Sequence, residues 1–324
     1  MQLTMFRPGR EEARPGIVWG ERIIDLNAAS RLMEKGERVP NKFLPVKNLE
    51  DFLARGAGAV RRAKQVTSWL REQVAGNPRP PAALRAILFE SPKVRLLPPL
   101  SNPPKILCLA RNYASHVREV HKDALLPKDL LIFMKPSTAI IGPEDPIFIP
   151  PECKKLDHEV ELAVVIGKRG RYIPEEKALD HVAGYTIFND ISDREYVGQK
   201  ENPRLVNWFF MKGQDTFAPL GPYLVMKDEI KDPHGQRLRL WVNGDLRQDS
   251  LGEEMIFKIP HVISRISRFV TLEPGDLIAT GTPTGTSFST KQYLQAGDVV
   301  ECTIEGMGKL RNFIRVKQGD YRKK

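Results

Sequence analysis

Apolar positions recur along the chain with two periods. In Arg237–Arg247, Leu238, Leu240 and Val242 alternate with Arg237, Arg239 and Trp241, the pattern of a half-buried strand, and Asn243-Gly244 predicts a tight hairpin turn. Gly16–Leu26 reads as a shorter hairpin turning near Gly20, and Gly306-Met307-Gly308 marks a last one. Lys105–Ala110, Leu130–Met134, Leu162–Gly167, Val182–Phe188, Asp276–Thr280 and Val299–Ile304 are further strand candidates. Helical spacing shows in Leu49, Phe52, Leu53, Val60, Val66, Trp69 and Leu70, with breaks expected at Gly56 and Gly58. Asn112–His121 and Ile259–Phe269 are the other helix candidates. Strands dominate, so a regular βα alternation around a parallel sheet fits poorly.

Two proline-rich passages, Asn77–Pro81 and Leu97–Pro104, favour extended backbone and mark boundaries. They divide the chain into a small N-terminal domain, 1–100, and a larger domain, 101–324. Charge follows the same division. The net charge is +10, and the first hundred residues hold 18 Lys and Arg against 10 Asp and Glu. A basic segment raises the question of nucleic acid, but no RNP-like aromatic motif or zinc-finger spacing accompanies it. A solvated basic face that attracts small anions is the reading preferred, with no nucleic-acid partner.

With 41% hydrophobic residues in 324, the composition is that of a globular protein. No apolar run reaches the ~18 residues of a membrane span, so no membrane partner is expected. The first sixteen residues carry charges and prolines where a signal peptide needs an apolar stretch. Cys108, Cys153 and Cys302 are far apart and form no CxxC pair, which excludes a zinc ribbon and points to a reducing, cytoplasmic setting.

Chemistry concentrates in a few strings. In Leu156-Asp157-His158-Glu159-Val160-Glu161-Leu162, a strand would send Glu159 and Glu161 to one face and His158 and Val160 to the other. Two carboxylates leading into an apolar strand are costly to bury unless a cation or proton lies between them. Oxygen ligands would favour magnesium or manganese over zinc. A solvated strand start is the alternative, and these residues alone leave both open. Asp190 closes the apolar run Tyr185–Asn189, where it could be a ligand or a helix cap. Lys212 stands among Trp208, Phe209, Phe210 and Met211, either snorkelling or facing an anion. His116 and Glu119 share a helix face, a pairing that suits a water-activating base but also occurs as a surface contact. Thr280–Gly285 is a polar glycine loop without the lysine of a P-loop.

Taken in order, these strings resemble the fumarylacetoacetate hydrolase family: KILCLARNYASHVREV, LIFMKPSTAIIGP, LDHEVELAVVIGK, VAGYTIFNDISDRE, MKGQDTFAPLGP, LRLWVNGDLRQ, GDLIATGTPTG and GDVVECTIEGMGKLRN, over about 105–313. The resemblance implies an α+β fold, a strand-rich mixed β-roll with a small N-terminal α+β domain, and a homodimer. It implies that Glu159, Glu161 and Asp190 bind magnesium or manganese and that Lys212 lies beside the metal and meets substrate. His116 and Glu119 would activate water on a closing lid segment, and Arg111, Tyr113, Arg194 and Thr282 would contact substrate. Ala110, where a glycine is frequent, and Gly213-Gln214, for a common Ser-Phe, depart from the pattern. The expected activity is hydrolysis of a carbon–carbon bond in 2,4-diketo acids, with a small anionic keto acid as substrate. The alternatives are oxaloacetate-type decarboxylation and isomerisation of hydroxymuconate-type diacids through the same enolate chemistry.

Overall fold

A computed structural model describes residues 1–36, 43–75, 81–120, 122–198 and 205–316. The proline passage 77–81, apart from Pro81, and His121 of the expected helix lie outside these residues. The first hundred residues form β1 (Gln2–Pro8), β2 (Arg14–Trp19), β3 (Arg22–Asp25), α1 (Leu26–Gly36), α2 (Leu49–Ala54), α3 (Ala57–Val74), α4 (Ala82–Arg85), β4 (Leu88–Glu90) and β5 (Val94–Leu97). Next come β6 (Ile106–Ala110), α5 (Ala114–Val120), β7 (Leu131–Lys135), β8 (Ile140–Ile141), β9 (Pro146–Ile149), β10 (Leu156–Asp157) and β11 (Val160–Ile166). β12 (Val182–Asn189), β13 (Ser192–Asp193), α6 (Trp208–Lys212) and β14 (Ala218–Met226) lead into β15 (Arg237–Val242) and β16 (Asp245–Leu251). The last elements are α7 (Ile259–Ser267), β17 (Leu277–Ala279), α8 (Ser287–Thr290), β18 (Val299–Ile304) and β19 (Lys309–Val316).

These make a mixed, strand-rich α+β structure with several sheets. Twelve strands join one sheet along the path β4-β3-β2-β1-β14-β12-β11-β17-β6-β7, with β5 on β1 and β8 on β14. Strands of the first hundred residues therefore extend the sheet of the larger segment, through β1 beside β14. A five-stranded sheet, β16-β15-β18-β19-β9, packs against it. The hairpins turn where the sequence places them, and Asn243 and Gly244 both take positive φ, as a two-residue turn of this hand requires. The helical stretch breaks once, at Gly56 with φ +59, whereas Gly58 is absorbed into the first turn of α3.

β11 shows why the sheet has two cores. It is buried throughout. Val160, Leu162 and Val164 face the five-stranded sheet with Leu238, Leu240 and Val300. Ala163 and Val165 face the other way, with Leu53, Ala63, Val66 and Trp69 of α2 and α3. Each fully buried Val, Leu or Ile side chain contributes about 1.5–3 kcal/mol, which offsets the cost of the polar groups at the strand's start. By the same alternation, Glu159 and Glu161 share the side of Ala163 and Val165. The helices cover one end of that side, and the acids lie at the other.

Candidate functional site

Glu159, Glu161 and Asp190 converge: one carboxylate oxygen from each lies within 4.8 Å of the others, and all three side chains are buried. Strand pairing brings them together. Val160 is opposite Asn189, and the Asp190 amide donates to Glu159 O at 2.8 Å, so the acids at the start of β11 meet the acid just past the end of β12. The Asn189 side chain accepts from the Glu159 amide at 2.9 Å and fixes the entry to β11.

Two buried lysines and the part-buried Arg194 surround the cluster. Lys212 Nζ donates to Glu159 Oε2 at 2.8 Å and to Asp190 Oδ2 at 2.5 Å. Lys135, at the end of β7, donates to Asp190 and to the Ile191 carbonyl. Arg194 pairs with Glu159 and, at 2.8 Å, with Asp157. Burial opposes ionisation of Glu159, but Lys212 and Arg194 outweigh it and hold the carboxyl at about 2. Glu161 is different: its partner is the Gly281 amide at 2.7 Å, and burial, then Asp190 and Glu159, push its pKa well above the usual range. Burial also lowers the Lys135 pKa, whereas Asp190 and Glu159 raise that of Lys212 against burial.

The charge balance follows. Among the described residues, the acids Asp157, Glu159, Glu161 and Asp190 face the cations Lys135, Arg194 and Lys212. The cluster is one positive charge short, and the shortfall falls on Glu161. Three convergent carboxylates without sulfur or imidazole suit a hard divalent cation. The donor set therefore fits magnesium or manganese, which would also leave the site net positive toward an anionic ligand.

The imidazole is on a separate element. His116 Nδ1 lies 3.1 Å from Glu119 Oε2 on α5, and both side chains are mostly buried. Glu119 also accepts from the Gly285 amide at 2.6 Å and from Ser289, and these bonds with His116 keep its carboxyl low although burial opposes them. Asn112 anchors the base of α5, donating to Thr280 O at 2.8 Å and accepting from the Phe257 amide at 2.8 Å. The loop between β17 and α8 needs its glycines. At Gly285, φ is +97 and a Cβ would meet Arg247 O at 1.9 Å; at Gly281, φ is +93 and the Asn112 Cβ is at 2.9 Å.

The structure thus brings Glu159, Glu161, Asp190, Lys212 and Arg194 into one buried network, with the His116–Glu119 pair on the adjoining helix. Arg194 is engaged by two acids. The Thr282 hydroxyl donates to Val160 O at 2.9 Å and accepts from Gln248 at 2.9 Å. Arg111 is exposed, with φ +60. Tyr113 is fully buried in the larger core, paired across a β-bridge with Met255. Sequence reasoning missed Lys135, Asp157 and Gln248. Lys135 closes an apolar strand and carried the same signal as Lys212, one lysine among large apolar side chains. Asp157 and Gln248 carried none, because their partners are remote in sequence.

Residues 105–315 match the sequence profile described as Fumarylacetoacetate (FAA) hydrolase C-terminal. An oxaloacetate tautomerase of Xenopus laevis, mitochondrial by its name, is 41% identical over 295 residues, 90% of this chain and 82% of that protein. A fumarylacetoacetate hydrolase structure from Exiguobacterium antarcticum superposes with a TM-score of 0.75 at 30% identity, covering 98% of this chain and all of that one. A maleylpyruvate hydrolase from Sphingobium, in complex with manganese(II) and pyruvate, gives 0.69 at 29% identity with the same coverage.

Proposed function

The chain belongs to the fumarylacetoacetate hydrolase family, and from that premise we propose that it interconverts the enol and keto forms of a short 2-oxo diacid of the oxaloacetate type. The likeness to the Xenopus tautomerase along nine-tenths of the chain carries this reading. The conversion takes the proton from the 2-hydroxyl and places one on carbon 3, while the C2–C3 double bond becomes the C2–O double bond. A divalent cation held by Glu159, Glu161 and Asp190 would supply Lewis-acid polarisation of a carbonyl oxygen. Lys212 has three N–H donors, two of them on Glu159 and Asp190, and turns the third to a substrate oxygen. His116, oriented through Nδ1 by an ionised Glu119, carries the proton.

Hydrolysis of acylpyruvates stands second. The His116–Glu119 pair favours it, since the same imidazole could take a proton from water. The two readings separate when the chain, loaded with manganese or magnesium, is given oxaloacetate enol, acylpyruvates and hydroxymuconates in parallel. Faster enol-to-keto conversion that EDTA abolishes is the expected result. Acylpyruvate cleavage without any acceleration of ketonisation would overturn it.

A second copy of the chain is the proposed partner. β7 ends the large sheet among the described residues, and Leu131, Ile132, Met134, Phe209 and Phe210 are exposed on it and on neighbouring α6. An open edge beside charge-free apolar side chains is self-complementary about a two-fold axis. Sedimentation at micromolar concentration should give a dimer for the native chain and a monomer for the Met134→Glu, Phe209→Glu variant; a native monomer would remove the proposal. We also keep the reducing, cytoplasmic setting as a proposal, supported by three buried free thiols. No described helix is long and apolar enough to cross a membrane.

A further inference from the structure

We propose that Gln248 is a positioning residue that sets the relative orientation of Glu159 and Glu161 by clamping Val160, the one residue between them. The inference rests on the reading that these two acids hold a divalent cation.

The clamp lies where the strand pairing of β11 with β17 stops. β17 pairs with β11 at Ala163, Val164 and Val165 and ends at Ala279. Toward the acids, no strand among the described residues pairs with β11 on that side, so its backbone groups need other partners. Thr280 takes the Leu162 carbonyl through its amide at 3.1 Å. Val160 is held by side chains. Gln248 Oε1 accepts from its amide at 3.0 Å, and the Thr282 hydroxyl donates to its carbonyl at 2.9 Å. Gln248 Nε2 then donates to Thr282 Oγ1 and to the Pro283 carbonyl, each at 2.9 Å, which closes the ring.

Gln248 comes from β16, in the five-stranded sheet, and is 1% exposed. Only an amide satisfies the ring. The Val160 N–H requires an acceptor, the Pro283 carbonyl requires a donor, and one orientation of the side chain meets both. Leucine would leave both buried and unpaired, and glutamate would set a charge against a carbonyl. The second sheet thereby fixes the two acids without touching them. Rotation of the Val160 backbone would swing Glu159 and Glu161 apart, since they leave the chain on either side of it.

Manganese titration calorimetry on the full chain, joined to amide hydrogen exchange on the metal-free protein, tests the clamp. Gln248→Leu and Thr282→Val should each weaken manganese binding about 10–100-fold, the usual effect of losing a group that orients a ligand. Thr282→Ser keeps the hydroxyl and should bind as the native chain does. The Gln248→Leu, Thr282→Val double variant should fall within about twofold of the weaker single one, because both break one ring. In Gln248→Leu the Val160 amide should exchange faster while the Ala163 and Val164 amides stay protected. Unchanged manganese affinity in folded Gln248→Leu would overturn the proposal, as would unchanged Val160 exchange. A merely structural role would lower the melting temperature and leave affinity alone. If Gln248→Leu does not fold, the contrast between Thr282→Val and Thr282→Ser decides. If the native chain binds no manganese, the metal reading fails and Val160 exchange alone decides the clamp.

Discussion

Glu161→Gln is expected to abolish turnover and weaken manganese binding roughly a thousandfold, while the metal-free protein melts no lower than the native chain. Glu161 is the acid that the surrounding cations leave uncompensated, held by the Gly281 amide at 2.7 Å. A glutamine oxygen can accept the same hydrogen bond in nearly the same volume, so packing is preserved. What disappears is one negative charge. At about 4 Å and an effective dielectric near 20, a unit charge pair is worth about 4 kcal/mol, and about 1.4 kcal/mol is tenfold in affinity. Without metal the sign reverses, because the native cluster confines Glu159, Glu161 and Asp190 with too few cations and the amide relieves that repulsion. Glu159→Gln should behave differently: it removes a partner of both Lys212 and Arg194, and so should destabilise even the metal-free chain. Calorimetry giving Glu161→Gln native manganese affinity would remove Glu161 from the metal site.

The shared face of Glu159 and Glu161 was legible because it depends on a local rule, whereas Asp190 joined them only through the family resemblance. Strand alternation sets the two glutamates on one side, and the antiparallel pairing of β11 with β12, seen in the structure, brings Asp190 to the same end of the sheet. The hairpins were legible for a similar reason, since turn residues act within a few positions. What escaped depends on which strands are neighbours. Whether Arg194 faces substrate or acids depends on where β10 brings Asp157, and nothing in the string around Arg194 carries that. Gln248 lies in another sheet, 88 residues from the Val160 amide it holds, and reads in sequence as an ordinary polar residue of a half-buried strand. The expected break at Gly58 failed for an energetic reason. A glycine costs a helix only about 1 kcal/mol relative to alanine, and Ala59, Ala63, Val66 and Leu70 bury more than enough of α3 to override it.

Replacing His116 by alanine should slow enol-to-keto conversion by about 10²–10⁴-fold, the usual loss for a general acid–base, with manganese affinity unchanged. Affinity and turnover separate because the imidazole is on α5, whereas the acids are on the sheet. Glu119 does two things at once, so its variants are less clean. It orients His116 and also holds the Gly285 amide and Ser289, which tie α5 to the loop that carries Gly281 and Thr282. Glu119→Gln should therefore raise KM along with lowering kcat, while His116→Ala lowers kcat alone. Reaction in heavy water gives a direct reading, since ketonisation of the enol puts a solvent deuteron on carbon 3. His116→Ala should lose catalysed deuterium incorporation in step with turnover. A variant that keeps that incorporation but no longer cleaves acylpyruvates would confine His116 to water activation, and hydrolysis would then be the better account of the site. One that keeps both activities would take His116 out of the chemistry and leave α5 to close over the acids.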